Sequence, residues 1–389
     1  RPEMPDPITA IRMDTSQRSV PANGHQRAGS SLILFLWLYS GYCRVATCIL
    51  TLCPRKLFSS RMISHFSILP ENQDVRAIEI AGGGLHARIL TWGASLQDLR
   101  LDGHAPPLVL GFPRLEDYLA HAAHHGAIAG PVINRIAGGM ATIDGIHHSF
   151  DRNEHDRQTL HGGAGGFGWQ HWQVAATGAS FVELAISQPD GHMGFPGRID
   201  ATCRYELSGD GMLSVALRAT TQKPTLLNMG HHSYFTLDDR GDIRDHTLRI
   251  DADRVLLADE TDLATGETLD VRGTGYDFTR ARPVSDPFDN NFCLAQQRRA
   301  PQTVAQLASP HSRVTMDVIT SEPGLQLYTG HKLNAPVAGL NGRIDKPFAG
   351  LCLEPQMWPN APDNPSFPSI VLRPGERSQQ ISCFKFTNT

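Results

Sequence analysis

Residues Ile199 to Ala219 alternate with a period of two. Ile199, Ala201, Cys203, Tyr205 and Leu207 are separated by Asp200, Thr202, Arg204 and Glu206. Ser208-Gly209-Asp210-Gly211 interrupts the pattern, and Leu213, Val215, Leu217 and Ala219 resume it. Successive side chains of a strand point to opposite faces, so this stretch reads as two long antiparallel strands with one apolar and one wet face. A lone hairpin cannot bury such a stripe, and the rest of the chain must supply a second layer.

Much of the chain has the same grain. Leu85, Ala87 and Ile89 alternate with His86 and Arg88 after a Gly82-Gly83-Gly84 turn, and Leu96 and Leu99 extend the inward set. Gly139 to Phe150 reads as a hairpin around Asp144-Gly145, because both central positions of a type I′ turn need positive φ. Further short apolar runs are Thr247–Ile250, Arg254–Leu257, Arg313–Ile319, Leu325–Tyr328, Gly350–Leu353, Ile370–Leu372 and Gln379–Phe386. The best helix candidate is Leu115 to His125. On one helical face Asp117, His121 and His125 could chelate a metal, although Glu116 and Asp117 also suit a first helical turn. The fold class expected is all-β, a sandwich or barrel.

The front of the chain departs from this grain. Residues 1–30 are polar and patternless, and two apolar runs follow, Leu32–Tyr39 and Val45–Cys53, split by Arg44. Residues 1–61 are therefore expected to be an extension outside the fold: translated upstream sequence with Met62 as the natural start, or else a signal or anchor. Residues 62–389 are the expected domain. Three of seven cysteines (Cys43, Cys48, Cys53) fall in the extension. Cys203, Cys293, Cys352 and Cys383 sit singly in strand-like runs, as reduced core thiols do, which fits a cytoplasmic protein. A formal charge of −4 with no sustained basic run argues against a nucleic-acid partner.

Polar clusters punctuate the apolar runs. They include Asn134-Arg135-Ile136-Ala137-Gly138-Gly139, Leu160-His161-Gly162-Gly163, Asp190-Gly191-His192-Met193-Gly194-Phe195-Pro196-Gly197 and His232-Ser233-Tyr234-Phe235. Later come Asp289, Gln326 and Leu353-Glu354-Pro355-Gln356, with a tail through Leu372-Arg373-Pro374-Gly375-Glu376. Taken singly, His-Gly-Gly or Asp-Gly is a turn, and a histidine beside aromatics is more often core than catalyst. Taken together and in this order they resemble the aldose 1-epimerase (galactose mutarotase) family over Met62 to Phe386. The resemblance implies a large antiparallel β-sandwich with its site in a cleft on one sheet.

Interconverting anomers requires opening a hemiacetal ring. A base removes the C1 hydroxyl proton while an acid protonates the ring oxygen, the C1–C2 bond turns, and closure reverses the roles. No metal or organic cofactor is needed. The resemblance implies Glu354 as base, His232 as acid and His161 as a second imidazole on the ring-oxygen side. It implies that Asn134, Arg135, Asp289 and Gln326 hydrogen-bond the sugar hydroxyls. An ion pair of Glu354 with Arg135 is the structural alternative. Phe167, Trp169 and Trp172 would either stack on a sugar face or pack the core.

Three positions depart from the family pattern: His231, Asn290 and Gly130-Pro131-Val132-Ile133. All are expected beside the sugar subsites, leaving the preferred aldose open. The expected partner is a small aldose, with no nucleic acid and no membrane for residues 62–389, and the chain is expected to be a monomer or weak homodimer. Three other readings have their own signatures. A hexose 6-phosphate epimerase would want an Arg/Lys cluster, a sugar-sensing sandwich would dispense with the acid and base, and a cupin-like metal enzyme would use His121, His124, His125, His147 or His148.

Overall fold

The structure, a computed structural model, describes residues 62–69 and 71–388. The extension at residues 1–61, with its three cysteines, lies outside the described residues. The long alternating hairpin forms as expected, with Ile199–Ser208 paired antiparallel to Met212–Thr221. It lies in a nine-stranded sheet, in the order Gln173–Gly178, Phe181–Gln188, Ile199–Ser208, Met212–Thr221, Ser378–Asn388, Val314–Thr320, Gln302–Ala308, Thr247–Ile250 and Arg282–Pro283. All neighbouring pairs run antiparallel.

A six-stranded sheet makes the second layer: Tyr234–Phe235, Leu351–Gln356, Gly324–Tyr328, Asp289–Cys293, Arg254–Ala258 and Ala264–Asp270. Between the layers Leu213, Val215, Leu217, Val318 and Phe384 join Phe235, Phe292, Leu325, Leu327, Leu351 and Leu353 in one buried cluster. Close-packed apolar burial of this kind is the main favourable term in the fold. A four-stranded sheet, Ile63–Ile68, Asp74–Gly82, Leu85–Leu90 and Leu96–Leu101, and four two-stranded sheets make up the other strands among the described residues, with Leu85, Ala87, Ile89, Leu96 and Leu99 all buried. The Asp144-Gly145 hairpin has positive φ at both turn residues, 51° and 80°.

The helix is shorter than the sequence implies. It ends at His121, and Ala122 is already extended. His124 then turns left-handed, with φ 56°. Asp117 is held by Arg114 through two hydrogen bonds of 2.9 and 2.7 Å. His125 packs on Phe112 and Tyr234, so the proposed Asp117–His121–His125 chelate does not assemble.

Candidate active site

Strand alternation builds one wall of the site. In Leu351–Gln356, Leu351 and Leu353 point into the sandwich core, which turns Cys352, Glu354 and Gln356 to the opposite face. In Gly324–Tyr328, Leu325 and Leu327 do the same, leaving Gln326 and Tyr328 beside them. The register sets Gln326 opposite Glu354 and Asp289 opposite Tyr328. Tyr234 pairs with Cys352, so two residues back along the same antiparallel register His232 faces Glu354. Its Nε2 lies 3.3 Å from Glu354 Oε1, and both side chains are buried.

The opposite wall comes from loops. Asn134 and His161 both have left-handed backbones, φ 63° and 51°. They are tied together, for the Asn134 N–H donates to His161 Nδ1 at 3.2 Å and the His161 N–H to the Asn134 carbonyl at 3.1 Å. With Nδ1 accepting, the neutral ring carries its proton on Nε2. Gly162, at φ 86°, lets this loop close, since a Cβ there would lie 2.1 Å from the Gly130 carbonyl oxygen.

Arg135 does not pair with Glu354. It donates two hydrogen bonds to Glu154, at 2.8 and 2.9 Å, and reaches Asp262 at 3.5 Å and Asp289 at 3.7 Å. Gln326 Nε2 donates to Asp289 Oδ1 at 2.8 Å. Lys332 Nζ meets Asp262 at 2.5 Å on the rim. The cleft so formed is about 280 Å³, lined by Asn134, Arg135, His161, His232, Asp289 and Glu354 together with His124, Trp169, Tyr234, Tyr328 and Lys332. That is near the lower end of the size range of small-molecule clefts. A larger hollow of about 690 Å³ lies near Trp358 and Phe367, but it brings no acid and base together.

The geometry thus gathers six of the seven expected side chains at the cleft, with Gln326 behind Asp289. Of the aromatic candidates, Trp169 lines the cleft, whereas Phe167 and Trp172 are fully buried and bonded to each other through Trp172 Nε1–H and the Phe167 carbonyl. His124 enters as a third imidazole, its ring centroid 4.4 Å from His161, 5.8 Å from His232 and 5.1 Å from Trp169. Glu154 and Asp262 escaped the sequence reading because their role is to hold Arg135. The departures expected beside the sugar lie elsewhere. His231 points into the core against Tyr205, Phe235 and Phe384, one residue out of phase with His232. Asn290 bonds the Leu256 carbonyl, and Pro131 accepts from Asn228 N–H.

Burial sets the electrostatics. It raises Glu354 well above the ordinary carboxyl range, with the Asp289 charge adding and Arg135 opposing. It lowers His232 to about 4 and His124 to about 3, and holds His161 well below 6.5. Desolvation also raises Asp289, against Arg135 and Gln326. The His232–Glu354 pair therefore titrates as a unit that holds one proton over a middle range of pH. His232, Cys352 and Glu354 are close enough together to suggest a metal. However, the ring turns Nε2 to Glu354 and Nδ1 to Cys352, so a single ion cannot use both contacts, and we assign no metal here.

The chain is similar over most of its length to proteins of one family. A family model described as aldose 1-epimerase matches residues 76–384. A galactose mutarotase of Rattus norvegicus is 36% identical over 328 residues, covering 80% of this chain and 94% of that protein. An aldose 1-epimerase of Escherichia coli (strain K12) is 32% identical over 342 residues, covering 82% and 97%. Among solved structures, an aldose epimerase homologue from C. elegans superposes with a TM-score of 0.76 at 29% identity, covering 80% of this chain and 99% of that one.

Proposed function

The chain belongs to the aldose 1-epimerase family, and from that premise we propose that Glu354 and His232 are the base and acid that act on the sugar. The enzyme is an isomerase that interconverts the α and β anomers of an aldose. The observation that carries the assignment is the 3.3 Å approach of His232 Nε2 to Glu354 Oε1 on the floor of the cleft.

The proton moves in a closed cycle. Glu354 takes the proton of the C1 hydroxyl as His232 gives its Nε2 proton to the ring oxygen. The ring opens to the aldehyde, leaving a protonated carboxyl and a neutral imidazole. Burial favours both of these uncharged forms, so it pulls toward ring opening. Rotation about C1–C2 presents the other face of the carbonyl, and closure returns each proton. The His161 Nε2–H is a neutral donor for the ring-oxygen side. Arg135, Asp289 and Asn134 fix the remaining hydroxyls, and Trp169 offers an aromatic face to the sugar C–H bonds.

A free aldose suits this cleft better than a sugar phosphate. Three carboxylates, Glu154, Asp262 and Asp289, stand against two cations, Arg135 and Lys332, and each of these cations already has an acidic partner, while the His232–Glu354 pair with its one proton adds no net charge. Cys203, Cys293, Cys352 and Cys383 are free thiols, which favours a reducing compartment and the cytoplasm. Among the described residues no helix is long and apolar enough to cross a membrane.

Polarimetry of freshly dissolved α-D-glucose and α-D-galactose, with a chelator present, tests the reading. The enzyme accelerates equilibration despite the chelator, and Glu354→Gln lowers kcat by about 10²–10⁴ while sugar binding persists. Near-normal kcat in Glu354→Gln refutes the base. Saturable binding without turnover in the parent protein would mark a sugar-sensing module, and loss of activity to the chelator would mark a metal enzyme.

A further inference from the structure

The strand Leu351–Gln356 supplies two side chains to His232. Glu354 meets Nε2, and Cys352, two residues earlier on the same face, brings Sγ to 3.5 Å from Nδ1. Cys352 is fully buried, packed with Leu110, Tyr234, Leu333 and Ala349. It therefore lies behind the imidazole, away from the cleft lining. Burial raises its pKa well above the usual thiol value, with the Glu354 and Asp289 charges adding, so it stays S–H. It is inert as a nucleophile and has no part in the reaction as written above.

The partner of the far nitrogen commonly decides how an imidazole works. A carboxylate on Nδ1 orients the ring and also stabilises the imidazolium, which makes a weaker acid. A thiol is a weak donor and a weak acceptor, and it carries no charge. We propose that Cys352 is a positioning residue for the anomer interconversion. Its buried thiol steadies Nδ1 of His232 so that Nε2–H is held toward the ring oxygen, and it leaves the imidazolium poorly stabilised and ready to give up that proton. A carboxylate at this position would also be a third acid beside Glu354 and Asp289. The inference rests on His232 being the acid.

The other groups that face this ring are His124 and His161 from the loops, at centroid distances of 5.8 and 5.2 Å, and Tyr234 at 5.3 Å on its own segment. His125 stands behind Tyr234, at 4.6 Å from it. Of these Tyr234 packs against Cys352, but burial raises its phenol well above the usual range, so it does not titrate on the acid limb and a shift of that limb reports the Nδ1 contact.

The test is the pH dependence of kcat and KM in the full chain for Cys352→Ala, Cys352→Ser and Cys352→Asp, with folding followed by circular dichroism. Cys352→Ala lowers kcat about 10–100-fold, the cost of a misplaced catalytic group, with KM within about twofold. Cys352→Ser restores part of the loss. In Cys352→Asp the pair takes its second proton at higher pH, and the acid limb rises by about 1–3 pH units. An unchanged kcat and profile in folded Cys352→Ala overturns the proposal. If that variant does not fold, an unmoved acid limb in both the Ser and Asp variants overturns it. His232→Asn separates the two ideas. An active His232→Asn removes the acid assignment itself, whereas an inactive one alongside unaffected Cys352 variants removes only the positioning role.

Discussion

Replacing His231 by Asn should take away part of the protein's sensitivity to acid. The His231 ring is about 2% exposed, enclosed by Tyr205, Phe235 and Phe384. Its Nε2 lies 2.9 Å from Ser233 Oγ, and its Nδ1 is buried without a partner. Burial lowers its pKa from 6.5 to about 3, with the neighbouring His232 adding a little. At pH 7.5 the ring is neutral in both folded and unfolded chains, and its titration costs nothing. Between pH 6.5 and 3 the unfolded chain binds a proton that the folded chain refuses, so stability falls as pH falls. Lowering the pH to 5 spans about 1.5 units of that window, and at 1.36 kcal/mol per unit His231 costs about 2 kcal/mol. Against a total of about 5–15 kcal/mol that is readily measured. His124, His125 and His232 act in the same direction. Asp345, raised to about 6 by burial, acts in the opposite direction, as do Glu354 and Asp289. These contributions are common to both proteins and drop out of the difference. Urea unfolding at pH 7.5 and pH 5.0 gives the pH-dependent loss for each protein. The loss should be about 2 kcal/mol smaller in His231→Asn, whatever the variant's stability at pH 7.5. An equal loss in the two proteins would refute a neutral, buried His231.

Glu154→Gln keeps the shape of the Arg135 clamp but removes its bidentate charge partner, so Arg135 is freer to swing toward Asp262 and Asp289. KM should rise by about tenfold, a loss near 1.4 kcal/mol, with kcat little changed, and steady-state polarimetry reads both. Deleting residues 1–61 should leave kcat and KM as they are, since every side chain assigned to the cleft lies between His124 and Glu354; an insoluble or inactive Met62–Thr389 product would show that the segment belongs to the fold.

The legible parts of this molecule are those where a local pattern and the tertiary environment agree. Ile199–Ser208 and Met212–Thr221 have one buried and one wet face, and the sequence alternates accordingly. Ala264–Asp270, reading Ala-Thr-Gly-Glu-Thr-Leu-Asp, is a strand at a sheet edge with little buried area, and nothing in its composition announces it. Ala122 and Ala123 favour helix and carry the expected helix past His121, while the tertiary fold needs a left-handed turn to bring His124 into the cleft. At the site, His161, His232 and Glu354 stood out through motifs. Glu154, Asp262 and Lys332 did not, because their work is set by ion pairs spanning 19 to more than 100 residues of chain, which only the fold creates. His231 is the instructive error, since sequence adjacency to His232 suggested a shared site and a strand sends neighbours to opposite faces.

The last long strand, Ser378–Asn388, is not at an edge. It fills the gap between Met212–Thr221 and Val314–Thr320 near the centre of the nine-stranded sheet. During synthesis the ribosome therefore releases two incomplete half-sheets, each with an unpaired apolar border, long before the strand that joins them exists. The large sheet closes only after residue 388 has cleared the exit tunnel, so its two halves must wait for the strand that joins them. Until then those borders are the surfaces on which a nascent-chain chaperone would act.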